Sequence, residues 1–201
     1  MIAICDYDAG NIMSVQKAVA YLGHDCVITR DANQILSADH VILPGVGSFG
    51  DAMKKLKDYE LDDVLHKVKE RGIPLLGICL GLQLMFESSE ESPGVEGLGL
   101  LEGRIVRIPD QNGALKIPHM GWNSLTYPSA GKLFQGIPEN TEVYFVHSYY
   151  LPVNSCVKAV TEYGVTIGAG IEKDHLFACQ FHPEKSGKWG LKILENFLSL
   201  S

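Results

Sequence analysis

The chain has 201 residues, 46% hydrophobic and 20% charged, enough for one compact domain with a buried core and too few for two ordinary enzyme domains, so a single domain over residues 1–201 is expected. A net charge of -7, from 24 acidic against 17 basic residues, argues against nucleic-acid and anionic-membrane partners. Five scattered cysteines without a Cys-x-x-Cys pair suggest neither a disulfide framework nor a structural zinc site; with no basic leader and no apolar run near ~18 residues, a soluble cytoplasmic chain without metal or cofactor is expected.

In chain order, the apolar run at residues 2–6 predicts a strand, the periodic stretch 12–22 closed by Gly23 a helix, and 26–29 and 41–43 two further strands. A longer periodic segment, 51–71, stops at Gly72 and predicts one helix. It leads into residues 74–78, whose continuous apolar character suits a strand buried on both faces of a parallel sheet, followed by a helix from near Leu80. Beyond Glu102 the texture turns β-branched and aromatic, at 104–108, 142–151, 157–161, 165–171 and 176–181, which predicts antiparallel additions. Apolar residues at Leu191, Ile193, Leu194, Phe197 and Leu198 predict a closing amphipathic helix over 189–200. The expected fold class is therefore α/β: a mainly parallel central sheet flanked by helices, with an added antiparallel portion.

Gly77-Ile78-Cys79-Leu80-Gly81 falls where a strand gives way to a helix, the setting of a nucleophile elbow with cysteine in place of serine. There the thiol sits at the carboxyl edge of the sheet, and the helix start favours a thiolate and offers backbone donors to an oxyanion. Such a thiol needs a base, and His182-Pro183-Glu184 follows the apolar run 176–181, so an imidazole and a carboxylate emerge together at a strand end. The glycine-rich stretch Pro44-Gly45-Val46-Gly47-Ser48 also follows a buried strand and can turn backbone N–H groups toward an oxyanion. Gly45, Gly47 and Gly50 have the spacing of a dinucleotide fingerprint, but they follow a later strand and lack an evident acidic ribose partner.

Together, Pro44-Gly45-Val46-Gly47, then Gly77 through Gln83, then Phe181-His182-Pro183-Glu184 resemble the class I, triad-type glutamine amidotransferases in order, spacing and residue type, over essentially the whole chain. Within that class the chain is similar to the glutaminase subunits of imidazole glycerol phosphate synthases, through residues 6–11, His119-Met120-Gly121-Trp122-Asn123 and 144–149. The resemblance implies Cys79 as nucleophile, His182 as base and acid, Glu184 as orienter, Gly47 and Leu80 near the oxyanion, and Gln83, Ser148 and Tyr149 near bound L-glutamine. It implies a heterodimer with a cyclase subunit, a (β/α)8-barrel. It also favours Asn11 and Trp122 at the partner interface, although a tryptophan in this setting also suits a core aromatic. Asp8 departs from the family pattern, which has a small residue there. The free chain is expected to be nearly idle, its 45–48 loop taking the oxyanion-binding form only when the partner holds substrate.

Two rivals remain on the sequence. Another amidotransferase glutaminase shares the triad chemistry, and residues 119–123 argue against it. A cysteine hydrolase or peptidase of similar fold commonly has histidine next to the cysteine, whereas here Leu80 follows Cys79.

Overall fold

Four short strands, β1 (Ile2–Cys5), β2 (Cys26–Thr29), β3 (His40–Leu43) and β4 (Leu75–Ile78), run parallel in the spatial order β2-β1-β3-β4 in the computed structural model, which describes residues 1–201. Their continuous apolar sequences follow from burial on both faces. Ala3, Cys5, Val41, Leu43 and Leu75 pack in one apolar layer with Ile35, Met53, Leu56, Val64 and Leu65. The alternating partners Ile2, Ile4, Ile42, Leu76 and Ile78 pack in a second layer with Val15, Val19, Ile193, Leu194 and Phe197. Helices α2 (Ala32–Leu36), α3 (Phe49–Asp58) and α4 (Leu61–Glu70) thus cover one face, and α1 (Ile12–Tyr21) and α6 (Gly187–Leu198) the other. Each fully buried aliphatic or aromatic side chain in these layers contributes about 1.5–3 kcal/mol.

The rest of the sheet continues from β4 through β12 (Leu176–Cys179), β11 (Thr166–Lys173), β9 (Tyr149–Pro152), β6 (Arg104–Arg107) and the two-residue β5 (Ser88–Ser89), with β10 (Val157–Glu162) paired to β11. A separate antiparallel pair joins β7 (His119–Ser124) to β8 (Glu142–His147). The strand β12, expected among the antiparallel additions, pairs parallel with β4 and antiparallel with β11, so it is the seam between the two halves.

Several expected elements differ. The single helix over 51–71 is two helices, broken at Tyr59 and Glu60, where Glu60 turns left-handed at φ 56°. The apolar stripe slips phase there: Met53, Leu56 and Tyr59 keep a three-residue spacing, the next apolar position is Leu61, and a two-residue step moves around a helix instead of along its face. The expected strand 142–151 is β8 and β9, which belong to different sheets and divide at Ser148, whose carbonyl accepts the Ile108 N–H at 2.9 Å. The segment around Trp122, outside every predicted strand, is strand β7. The helix α2, absent from the expected order, is a five-residue element capped by Asp31, whose side chain accepts the Gln34 N–H at 2.8 Å.

Candidate active site

Three neighbouring parallel strands deliver the candidate residues from their carboxyl ends: β3 the 44–48 loop, β4 Cys79, and β12 the His182–Glu184 turn. Loops at this edge of a parallel sheet form its usual ligand crevice.

Cys79 joins β4 to the helix α5 (Leu80–Leu84) with φ 54° and ψ -109°, a conformation that L-residues rarely adopt. The flanking glycines are fixed by close approach: a Cβ on Gly81 would lie 1.9 Å from the Leu43 carbonyl oxygen, and one on Gly77 would lie 2.7 Å from Met85 Sδ. The Cys79 backbone N–H donates to Cys179 O at 2.8 Å, and its Sγ lies 3.7 Å from Val146 O and 3.8 Å from Gln180 Nε2. The thiol is thus held between β12 and β8.

His182 is buried, its backbone N–H donating to Tyr144 O at 2.9 Å, and Ser186 Oγ donates to its carbonyl at 2.6 Å. Its Nδ1 donates to Glu184 Oε1 at 2.8 Å, and the Glu184 side chain is also fully shielded from solvent. Burial alone lowers the His182 pKa, but the neighbouring Cys79 and the hydrogen-bonded Glu184 outweigh it and push the value up to about 9. Burial pushes the Cys5 thiol up to about 12 and the Cys179 thiol well above the ordinary range.

A cavity of about 330 Å³ opens beside Cys79. Of the sequence-predicted residues it gathers Cys79, His182, Gly47, Leu80, Gln83, Ser148 and Tyr149. Glu184 stands behind His182, out of the cavity lining. Gln83 is buried and braces the wall, its amide donating to Tyr149 O at 3.0 Å and to Gln180 Oε1 at 3.2 Å. Trp122 lies outside the cavity, 55% exposed on β7, with its ring edge-on to Tyr144. Asn11, expected on the partner face, is half-buried and turns its side chain inward to Glu184.

The 44–48 loop is in a closed arrangement. Leu80 N–H, an expected donor, is occupied by the Gly45 carbonyl at 3.3 Å. Rotating the Gly45–Val46 peptide would withdraw that carbonyl and turn the Val46 N–H in its place, because the two groups sit on opposite sides of one peptide plane. Tyr7 Oη, donating to Pro44 O at 2.5 Å, fixes the loop's root.

Sequence reasoning included Val46 in the loop without singling it out, and it missed Glu91, the carboxylate in the cavity lining. Glu91 also accepts the Phe49 N–H at 2.8 Å, tying it to the start of α3. Its only sequence signal was membership of an acidic cluster, which reads equally well as a solvated face. Gln180 was missed as well, and so was His147, held neutral in a side-chain chain. His147 Nδ1 donates to Tyr149 O at 2.9 Å, so its Nε2 must accept from His119 Nδ1, also at 2.9 Å. Asn123 Nδ2 closes the chain at 3.2 Å from His119 Nε2.

The chain is similar to known proteins over nearly its whole length. The glutamine amidotransferase class-I family matches residues 3–200. The imidazole glycerol phosphate synthase subunit HisH of Moorella thermoacetica is 50% identical over 198 residues, 98% of this chain and 93% of that one. The subunit of the same name from Methanocaldococcus jannaschii is 48% identical over 201 residues, all of both chains. Among solved structures, one described as a glutamine amidotransferase superposes with a TM-score of 0.76 at 19% identity, over 98% of this chain and 96% of that one, a likeness of fold.

Proposed function

The chain belongs to the class I glutamine amidotransferases and, within them, to the HisH subunits of imidazole glycerol phosphate synthase, and on that premise we propose that it is a glutaminase with Cys79, His182 and Glu184 as its triad. The observation that carries the reading is the strained elbow of Cys79 opening onto the same cavity as a buried His182 that is itself bonded to Glu184. Residues 1–201 act as one amidotransferase domain in this reading.

In the first half-reaction the thiol proton passes to His182, and Sγ bonds to the side-chain carbonyl carbon of L-glutamine, placing negative charge on the carbonyl oxygen. Collapse breaks the C–N bond as imidazolium gives its proton to the leaving nitrogen, releasing ammonia. Water, deprotonated by His182, then attacks the thioester; the C–S bond breaks and glutamate leaves. Glu184, bonded to Nδ1, stabilises the imidazolium once the thiol proton has arrived and holds it ready to protonate the leaving group. Glu91 is the cavity carboxylate suited to the α-ammonium of the substrate, while Ser148, Tyr149 and Gln83 line its other side.

Oxyanion stabilisation in this scheme needs the Leu80 N–H together with a donor from the loop, Val46 or Gly47. While Leu80 is bonded to the Gly45 carbonyl, that donor set is incomplete, which supports an idle free chain activated when a partner turns the peptide. The partner is a cyclase subunit in a cytoplasmic heterodimer, carrying the lyase chemistry that consumes ammonia and forms imidazole glycerol phosphate in histidine biosynthesis.

The test is glutamate release from glutamine by the purified chain, alone and with the cyclase subunit and its nucleotide ligand, with Cys79→Ala as control. Release that depends on the partner and falls more than about 10⁴-fold in the variant is expected. Absence of hydrolysis under every condition overturns the glutaminase reading, and equal hydrolysis without partner overturns the coupling.

A further inference from the structure

We propose that Asn11 is a positioning residue of the triad: its side-chain amide fixes the orientation of the Glu184 carboxylate against His182. The proposal rests on the triad assignment above. Asn11 Nδ2 donates to Glu184 Oε1 at 2.6 Å, and the same oxygen takes the His182 Nδ1 bond at 2.8 Å. These are the two hydrogen bonds that the carboxylate makes, and only Asn11's comes from outside the turn that carries the histidine itself. The backbone of His182 is already anchored to Tyr144 and Ser186, so what remains to be set is the rotation of the carboxylate. An ionised carboxylate only accepts, which assigns the amide nitrogen, a donor, to that contact.

The local structure supports a dedicated role. Asn11 occupies the N-cap position of α1, where asparagine ordinarily bonds the first-turn N–H groups, yet its side chain makes no cap bond. Its backbone is left-handed at φ 68°, which aims the side chain away from its own helix. The preceding loop is braced independently of the triad. Arg30 bonds Asp6 and Asp8, each at 2.9 Å, and Tyr59 Oη donates to Asp8 at 2.5 Å. Asp8, the residue that departs from the family pattern, is thus part of the strut behind Asn11.

Two variants separate positioning from general structural support. Asn11→Gly removes the amide and keeps the left-handed backbone without strain. Asn11→Asp is isosteric, but two carboxylates about 2.6 Å apart cannot both ionise; at low pH the protonated acid can donate to Glu184 in the amide's place. The titratable groups facing the pair are Cys79 from the elbow, His147 from β8 and Cys179 from β12, and none of them changes in either variant.

The experiment measures glutaminase kcat and KM in the complex with the cyclase subunit, complex affinity by calorimetry, and the pH dependence of Cys79 alkylation by iodoacetamide in the isolated chain, mapped by peptide mass spectrometry. For Asn11→Gly, kcat is expected to fall about tenfold to a hundredfold, the scale of one hydrogen bond to a charged group, with KM for glutamine unchanged. The midpoint of Cys79 alkylation moves to higher pH, because a misdirected carboxylate supports the imidazolium less well. For Asn11→Asp, activity relative to the parent falls as pH rises through a new ionisation. Parent-like kcat and alkylation profiles in both variants overturn the proposal, as does a loss confined to complex affinity, which would make Asn11 an interface residue only. The Cys79→Ala control keeps the two readings apart: parent-level glutamate release from it defeats the triad assignment itself, whereas an inactive Cys79→Ala beside parent-like Asn11 variants defeats only the positioning role.

Discussion

The two walls of the cavity are built by different means. The wall formed by the β3 and β4 turns is backbone: the 44–48 loop, the elbow at Cys79 and the Leu80 N–H, held by close approaches such as that of Gly81 to the Leu43 carbonyl. The opposite wall, from β8 into β9, is held by side chains. Its bonds run from the Glu162 carbonyl through Asn123, His119 and His147 to the Tyr149 carbonyl, joining residues up to 39 positions apart. A backbone wall fails when space is taken from it, and a side-chain wall fails when a donor is removed or a proton is added. That difference bears on the proposed function, in which the backbone wall contains the peptide that turns.

The largest effect is expected from crowding the backbone wall. Gly81→Ala places a methyl group 1.9 Å from a carbonyl oxygen, and destabilisation of about 3 kcal/mol or more should follow, measurable by urea unfolding. A parent-like stability would mean that the elbow has slack the geometry does not allow.

A smaller effect, about 1–3 kcal/mol, is expected for His147→Ala, which leaves the buried His119 Nδ1–H without its acceptor and the Tyr149 carbonyl with the Gln83 amide alone. The same wall should be acid-sensitive. Burial lowers the His119 pKa to about 4, and burial together with the neighbouring His119 and His182 lowers that of His147 to about 3. The unfolded chain therefore takes up protons below ~6.5 that the folded chain refuses, so their stabilising contribution is complete above ~6.5 and is lost as pH falls toward 4, by up to about 1.4 kcal/mol per pH unit per histidine. His147→Gln, a neutral side chain able to donate and accept, should flatten the dependence of unfolding free energy on pH between 7 and 5. His182 has the opposite sign: its raised pKa gives stability that is present below ~6.5 and lost as pH rises through about 9.

The smallest effect on stability is expected at Trp122, more than half exposed on the outer face of the hairpin. Trp122→Ala should change unfolding free energy by no more than about 0.5 kcal/mol while weakening association with the cyclase subunit in a calorimetric titration. A large loss of stability with unchanged association would return Trp122 to the role of a core aromatic.

Much of the backbone wall was legible because its signals are local. Glycines beside Cys79, a buried apolar strand before it and His-Pro-Glu at another strand end mark turns whose geometry is set within a few residues. The break at Tyr59 was missed because each half-helix keeps a good stripe and only the phase between them changes. The division of 142–151 at Ser148 was missed because both halves have strand composition, and which sheet each joins depends on partners distant in sequence. Glu91 and Gln180 were illegible for a related reason: nothing nearby in the chain distinguishes a carboxylate or amide facing a cavity from one facing solvent or core.

The sequence by itself determined the α/β architecture, the order of the parallel strands' chemistry and the identity of the candidate nucleophile, base and carboxylate, because hydrophobic periodicity and turn chemistry act over short stretches of chain. Only the tertiary structure decided that β12 seams the two halves, that Asn11 points inward to Glu184, that two histidines are kept neutral, and that the Gly45 carbonyl occupies the Leu80 N–H. Those outcomes depend on which hydrogen-bond donors and acceptors meet across long sequence separations, and such meetings are fixed by packing.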